Sequence, residues 1–166
     1  ETFGSVESVA RTKFELIDAL PEGGLGVVNI DSEAAYNHVK EHGYKIKSYA
    51  VDNPEADYRA TNIIYSSAET RFDVESCGGV DEGYATHILG RGNILNITAA
   101  LAVAEHLGIS AESRRRAVRQ IEQVEHRLSM RRNGGITILD DAYNSNPEGA
   151  RMALAVLRGF NTAGRR

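Results

Sequence analysis

The densest group of polar side chains in this sequence begins at Asp140 and reads Asp-Asp-Ala-Tyr-Asn-Ser-Asn-Pro. It directly follows the apolar segment 136–139, which is predicted to be a buried parallel strand. Open α/β sheets bind ligands in the crevice at the carboxyl ends of such strands. A carboxylate there can accept hydrogen bonds from ribose hydroxyls, and asparagine amides can recognise amide or carboxylate groups. The run therefore predicts a ligand site, although Asn146 could serve only as a helix cap and Tyr143 only as an edge of the core.

A pair of asparagines, Asn93 and Asn96, opens the predicted helix 93–107. Their spacing places both amides close to one face of the helix, beside the unpaired N–H groups of its first turn. Amide groups could pair with the edge of an adenine ring, and the N–H groups favour an anion. Asn93 alone could be a helix cap. Asn96 lies in an otherwise apolar helix, and a buried amide needs partners.

One lysine, Lys13, lies on the side of the apolar stripe formed by Ala10 and Ile17 in the predicted first helix. Burial disfavours the protonated amine. A neutral amine can react with carbon dioxide to give a carbamate, whose oxygens can ligate magnesium. The alternative is that the stem of Lys13 packs while its ammonium group stays in water. The pattern of residues leaves both interpretations open.

The order of predicted elements indicates the α/β class. Strands at 25–30 and 45–51 flank a helix at 32–42, which Asp31 is expected to cap and Gly43 to end, and this order predicts a parallel sheet. Between 60 and 89, β-branched and aromatic residues alternate around turn signals. That segment predicts two or three antiparallel strands in a small sheet beside the parallel one. Further helices are predicted at 5–20, at 110–123 and from Pro147 onward.

The composition excludes several classes of function. Nineteen Lys and Arg against 23 Asp and Glu give a net charge of -4, so the chain has no global attraction to nucleic acid or to an anionic membrane. No apolar run is long enough to cross a bilayer. The single cysteine, Cys77, excludes an internal disulfide and favours a cytoplasmic location. The basic run 114–116 is predicted to be a solvated helix face.

Four segments together resemble the Mur ligase family over nearly the whole chain. The run from Asp140 resembles the motif of the branch that adds D-alanyl-D-alanine to UDP-N-acetylmuramoyl-tripeptide. The segments 3–13, 29–31 and 90–96 resemble the stretch after the central metal-binding region, the following strand and turn, and the start of the adenine-binding helix. The resemblance implies the central ATP-binding domain of a peptide ligase, with a partial parallel sheet flanked by helices and a small antiparallel β insertion.

The resemblance also implies roles for individual residues. Lys13, once carbamoylated, would hold Mg²⁺ and act in catalysis. The nucleotide ATP would be bound by Asn93, Asn96, Arg127 and Asp141, with Asp140 as a second candidate for the ribose. The incoming dipeptide would meet Tyr143, Asn144 and Asn146. A surface arginine is the competing interpretation of Arg127.

The sequence departs from the family at three places. Gly92 stands where a histidine usually precedes the asparagine, and His126 replaces the usual glycine before Arg127. The phosphate loop Gly-x-x-x-x-Gly-Lys-[Ser/Thr] does not occur in the 166 residues. We therefore expect a piece of a longer protein that is inactive alone, with residues 1–160 as the central-domain portion and 161–166 as the start of a linker. A sheet edge left open by missing strands would favour self-association.

The expected activity of the longer protein is ATP-dependent amide bond formation in peptidoglycan synthesis, with no nucleic-acid partner and no membrane insertion. Two alternatives stay open at this point. One is a ligase of the same family that adds a different amino acid. The other is a non-catalytic nucleotide-binding or assembly module derived from the same fold, which the three departures favour.

Overall fold

A computed structural model describes residues 4–66, 69–143 and 146–160. The helices are α1 (Val6–Asp18), α2 (Glu33–His42), α3 (Arg91–His106), α4 (Ala111–Arg119) and α5 (Pro147–Gly159). The strands are β1 (Gly26–Asn29), β2 (Ile46–Ala50), β3 (Tyr58–Tyr65), β4 (Thr70–Ser76), β5 (Gly79–Thr86), β6 (Ser129–Asn133) and β7 (Ile136–Asp140). The predicted linker 161–166 lies outside the described residues. No helix within the described ranges is long and apolar enough to cross a membrane.

The main sheet is mixed and has the strand order β1-β2-β3-β4-β5. β1 and β2 are parallel, as predicted, and β3, β4 and β5 form an antiparallel meander. The predicted separation of these two parts was wrong, because β3 also pairs with β2 and so joins them in one sheet. The connection 51–57 is too short for a crossover helix. The start of β3 therefore meets only the end of β2, through Tyr49 and Ala50.

The core lies between the main sheet and α3. Alternate residues of β4, including Phe72 and Val74, are buried against Ile94 and Leu101 of α3. Phe72 stacks on Tyr84 of β5, with ring centroids 5.3 Å apart. Burial of such large apolar side chains contributes about 1.5–3 kcal/mol each, so this layer fixes α3 on the sheet.

The ends of the helices follow local sequence signals in most cases. Ser5 and Ser110 cap α1 and α4, and Gly43 ends α2 in the left-handed conformation with a φ of 65°. The prediction for the start of α2 was wrong, since Ser32 and not Asp31 is the cap. The carboxylate of Asp31 instead accepts hydrogen bonds from the backbone N–H groups of residues 51–53, which directly follow β2.

The last two strands form a hairpin that is separate from the main sheet. β7 was expected to be a buried parallel strand, but it pairs antiparallel with β6. Gly134 and Gly135 have positive φ values of 55° and 81° and make the two-residue turn that this pairing needs. On β7, Ile136 and Ile138 are 65% and 50% exposed. Leu139 instead packs against a second, smaller core formed by Leu89, Leu128, Val156 and Phe160. One face of β7 is therefore apolar and exposed.

The basic run on α4 is not a solvated face at its first two positions. Arg114 is only 10% exposed and lies 2.9 Å from Asp81 and 3.1 Å from Glu105, and Arg115 also contacts Asp81. Burial alone would raise the pKa of Asp81, but hydrogen bonds from Tyr84 and Arg114 hold it below its usual value. Burial and the hydrogen bond to Asp81 raise the pKa of Tyr84 to about 12. These ion pairs join α4 to β5 and to the end of α3.

Candidate functional site

A pocket of about 340 Å³, with polar and apolar lining residues, lies between the first turn of α3, the segment 126–128, and the residues that precede and begin α5. Six of the predicted site residues line it together: Asn93, Asn96, Arg127, Asp141, Tyr143 and Asn146. They come from separate parts of the chain, and only the fold brings them to one place. Asn144 lies outside the described residues, so the structure does not bear on its predicted role.

The first turn of α3 reaches the pocket because Gly90 precedes it. Gly90 has a φ of 90°, and a Cβ there would lie 2.4 Å from Cδ2 of Leu128. Only glycine tolerates both this conformation and this contact. The glycine therefore lets the start of α3 approach the segment 126–128 closely enough to enclose a pocket.

The two asparagines of α3 are held differently. Asn93 Nδ2 donates a hydrogen bond to the backbone oxygen of Leu89 at 2.8 Å, which fixes the plane of the amide. Asn93 is not the helix cap, because Gly90 occupies that position without a side-chain hydrogen bond. Asn96 was expected to be buried, and this was wrong, since its side chain is exposed at the pocket. An exposed amide beside a fixed one leaves polar groups accessible to a planar ring.

The opposite wall consists of Arg127 and Tyr143. The Arg127 guanidinium carbon lies 4.4 Å from the centroid of the Tyr143 ring, within the range of a cation–π contact. Tyr143 is 65% exposed, which excludes its interpretation as a core edge. The backbone N–H of Tyr143 donates to the backbone oxygen of His126 at 3.0 Å and thereby joins the segment 126–128 to the residues that follow β7.

The neighbouring carboxylates of Asp140 and Asp141 occupy different environments. Asp141 lines the pocket, and its Oδ1 accepts a hydrogen bond from the Leu128 N–H at 3.1 Å. Asp140 does not line the pocket and pairs with His126 Nδ1 at 2.8 Å. Burial would raise the pKa of Asp140, but hydrogen bonds from His126 and the Ala142 N–H hold it below its usual value. The geometry thus favours Asp141 over Asp140 as the residue that meets a ligand.

Two of the three departures from the family pattern, His126 and Gly92, border the pocket. His126 has a φ of 62°, a conformation that costs a residue with a Cβ about 1–2 kcal/mol, which explains why glycine suits this position. At Gly92, an added Cβ would lie 3.5 Å from Met152 Sδ of α5. Met152, which sequence reasoning missed, therefore covers the space beside Gly92. No pattern in the sequence links these two residues, because the contact depends on how α5 packs on α3.

Two further predictions have different outcomes. Asn146 caps α5 by accepting a hydrogen bond from the Gly149 N–H at 2.8 Å, and it also lines the pocket, so its role toward a ligand stays a prediction. Lys13 was predicted to face the apolar side of α1, and this was wrong. Lys13 is exposed while the adjacent Phe14 is the buried residue of the helix, and Lys13 does not line the pocket.

The ability to hold a metal ion was tested by the donor groups present. Within residues 4–66, 69–143 and 146–160, no group of three or more His, Cys, Asp or Glu residues could hold an ion by itself. The pocket offers amides, one carboxylate and one guanidinium, which fit the polar edges of a nucleoside better than a bare cation. The roles predicted for these individual residues stay predictions.

The fold defines an α/β domain with a pocket between the start of a helix and a loop that carries polar side chains. The chain belongs to the Mur ligase family, because the model of the Mur ligase middle domain matches residues 1–104. It is 30% identical over 96% of its length to UDP-N-acetylmuramate–L-alanine ligase from Dictyoglomus turgidum. It is 31% identical over 95% of its length to UDP-N-acetylmuramoyl-tripeptide–D-alanyl-D-alanine ligase from Escherichia coli. The chain covers 34% and 35% of these relatives, which is about a third of their length.

Solved structures agree with the family assignment. MurF from Acinetobacter baumannii superposes with a TM-score of 0.80 and 26% identity, over 96% of this chain and 34% of that one. MurF from Thermotoga maritima, solved in complex with ADP, superposes with a TM-score of 0.82 and 24% identity, over 97% of this chain and 36% of that one, and at that identity it supports the fold alone. The predicted family and the predicted α/β class are confirmed.

Proposed function

We propose that this chain is the adenosine-binding part of an ATP-dependent ligase that joins D-alanyl-D-alanine to UDP-N-acetylmuramoyl-tripeptide. The observation that carries the proposal is the convergence of six predicted residues on one pocket. Relatives with that ligase activity in their names are 25–31% identical to the chain. The relative that adds L-alanine is 30% identical, so overall identity does not separate the two acceptors. The motif that begins at Asp140 favours D-alanyl-D-alanine.

The pocket suits the adenosine half of ATP. The amides of Asn93 and Asn96 can pair with an adenine edge, where donors and acceptors alternate. One oxygen of Asp141 is held by the Leu128 N–H. Its other oxygen, Oδ2, lies only 3.7 Å from where a Cβ of residue 149 would be, so the glycine there keeps that oxygen accessible to a ribose hydroxyl. Arg127, over the ring of Tyr143, places a positive charge at the pocket wall.

Mg²⁺ would enter with the phosphates of ATP, since Mg²⁺ in proteins is commonly held by one or two carboxylates together with phosphates and water. The exposed amine of Lys13, once carbamoylated, would supply such an oxygen ligand. Among the described residues, no group of three or more His, Cys, Asp or Glu side chains could hold the ion by itself, so we derive no catalytic step through it. Tyr143, Asn144 and Asn146 would face the incoming dipeptide.

In the proposed reaction, ATP phosphorylates the carboxylate of the tripeptide, and the amine of D-alanyl-D-alanine then displaces the phosphate. The residues of this chain would orient the nucleoside for that transfer. The sequence has no phosphate loop, so the 166 residues alone are not expected to catalyse ligation. A cytoplasmic location is part of the proposal, because ATP and the UDP-linked substrate are both cytoplasmic metabolites.

Self-association is a further part of the proposal. Within the described residues, β7 pairs only with β6, and β1 lies at the edge of the main sheet. Ile136 and Ile138 are exposed on β7. An exposed apolar strand with an unpaired edge favours pairing with another strand, either from the longer protein or from a second copy.

The test is a ligation assay with the full-length protein that contains this chain. Phosphate release from ATP would be measured with UDP-N-acetylmuramoyl-tripeptide plus D-alanyl-D-alanine, and separately with UDP-N-acetylmuramate plus L-alanine. We expect turnover only with the first pair. Turnover with the second pair would assign the chain to another ligase of the family. Nucleotide binding without turnover on either pair would favour the non-catalytic module. Gly92 and His126, which depart from the family pattern, are the residues that support this alternative.

A further inference from the structure

The first residue of α3, Arg91, connects that helix to the ends of two parallel strands. Its Nη2 lies 2.6 Å from Oδ2 of Asp31 and 2.6 Å from Oδ2 of Asp52. Asp31 follows the end of β1, and Asp52 follows the end of β2. One guanidinium therefore bridges two carboxylates on the sheet and the first turn of the helix that carries Asn93 and Asn96.

Asp31 is a rigid anchor for this bridge. Its side chain is 8% exposed, and it accepts hydrogen bonds from the N–H groups of Val51 at 2.8 Å and Asn53 at 2.9 Å. The backbone donors hold the carboxylate in place independently of Arg91. Asp52 is 75% exposed and contributes a weaker, solvated contact. Loss of the bridge would therefore leave Asp31 in place and release Arg91 together with the first turn of α3.

The other side of that turn is fixed by packing. Gly90 lies against Leu128, and the Asn93 side chain donates to the Leu89 backbone oxygen. The first turn of α3 is therefore held between the sheet, through Arg91, and the segment 126–128, through Gly90. Displacement of the Arg91 bridge would move Asn93 and Asn96 relative to Asp141 across the pocket.

We propose that Arg91 is a positioning residue for the nucleotide pocket and that its bridge to Asp31 and Asp52 sets where Asn93 and Asn96 meet the base. This inference rests on the proposed function, and it adds residues that touch no ligand themselves. A different view is that the bridge only stabilises the fold. The control for that view is Arg114 of α4, which also bridges two carboxylates. Its partners are Asp81 of β5 and Glu105 near the carboxyl end of α3, so it contacts the opposite end of that helix from Asn93 and does not line the pocket.

The experiment compares Arg91→Met, Arg91→Lys and Arg114→Met in the full chain. Methionine keeps the apolar stem and removes the charge, and lysine keeps the charge. Two readouts are taken: the side-chain amide signals of Asn93 and Asn96 in ¹⁵N NMR spectra of the free protein, and the Kd for ADP by calorimetry. Asp52→Asn provides a milder variant that removes only the exposed carboxylate and should leave the fold intact.

We expect Arg91→Met to shift both amide signals and to weaken ADP binding about three- to tenfold, which lies within the range for residues that act on a ligand through others. Arg91→Lys should restore most of the affinity, and Arg114→Met should lower Tm with neither amide signal moved. Unchanged Asn93 and Asn96 signals in folded Arg91→Met and Asp52→Asn would overturn the proposal. If the wild-type chain binds no ADP while Arg91→Met still moves the amides, then Arg91 positions α3 but the proposed nucleotide function fails.

Discussion

The close approach of α3 to the segment 126–128 depends on one glycine, and its substitution by alanine should be unusually harmful. Gly90 has φ and ψ values of 90° and 142°, a combination that glycine adopts far more easily than other residues. The Cβ of alanine would lie 2.4 Å from Cδ2 of Leu128, where carbon atoms prefer about 3.5–4.0 Å. The substitution therefore perturbs both the backbone and the packing at the start of α3.

The expected loss of stability follows from these two terms and one offset. A strained backbone conformation costs on the order of 1–3 kcal/mol, and overpacking a core costs about 1–3 kcal/mol. Alanine restricts the unfolded chain more than glycine does, which returns about 0.4–1 kcal/mol. Because the clashing atom is the end of a side chain, which can rotate partly away, we expect a net destabilisation of about 2–3 kcal/mol.

The assay is urea denaturation of Gly90→Ala beside Gly108→Ala. Gly108 also has a positive φ, 75°, but a Cβ there would meet nothing within 4 Å. That control should lose only about 1 kcal/mol, from the backbone term. In a Leu128→Ala background the extra cost of Gly90→Ala should largely disappear, since the clashing atom is gone. Equal losses for Gly90→Ala and Gly108→Ala would refute the reasoning.

Two other predictions concern acid stability and association. The pKa of Asp81 is held below its usual value, so the stability that its carboxylate contributes is present above the unfolded pKa of about 3.9 and is lost as pH falls toward the lower folded value. Asp81→Asn should therefore flatten the decline in stability below about pH 4, measured by urea denaturation at several pH values. An unchanged slope would contradict this. Ile138→Lys places a charge on the exposed face of β7 and should shift any dimer toward monomer in analytical ultracentrifugation, whereas Thr137→Lys on the same strand serves as the control for charge alone.

Local signals were sufficient for most helix ends and for the polar loop. Ser5 and Ser110 cap their helices because a hydroxyl reaches an N–H three residues on, an interaction that depends only on the adjacent chain. Gly43 ends its helix in the left-handed conformation for an equally local reason. The predicted residues around Asp141 also converged, since a strand followed by a helix brings polar groups to the same end of the element pair.

Features that depend on distant partners could not be predicted in this way. Asp31 has the residue type of a cap, but the backbone N–H groups at the end of β2 and the guanidinium of Arg91 bind it more extensively than a helix start could. β7 has the apolar composition of a buried strand, yet the Gly134-Gly135 turn pairs it with β6 and leaves one face exposed. Lys13 lies beside the half-buried Ala10 and Ile17, but it is itself exposed, and Phe14 is the buried residue of that helix.

The central claim is that the pocket beside α3 binds the adenosine part of a nucleotide, and calorimetry with ADP and Mg²⁺ tests it most directly. The comparison uses wild-type chain, Asp141→Asn and Asp140→Asn, because these adjacent carboxylates differ in whether they line the pocket. We predict weak binding that Asp141→Asn reduces about tenfold, the effect expected when one hydrogen bond to a charged group is impaired, and that Asp140→Asn leaves nearly unchanged. No binding by a folded wild-type chain, or an equal loss in both variants, would contradict the account.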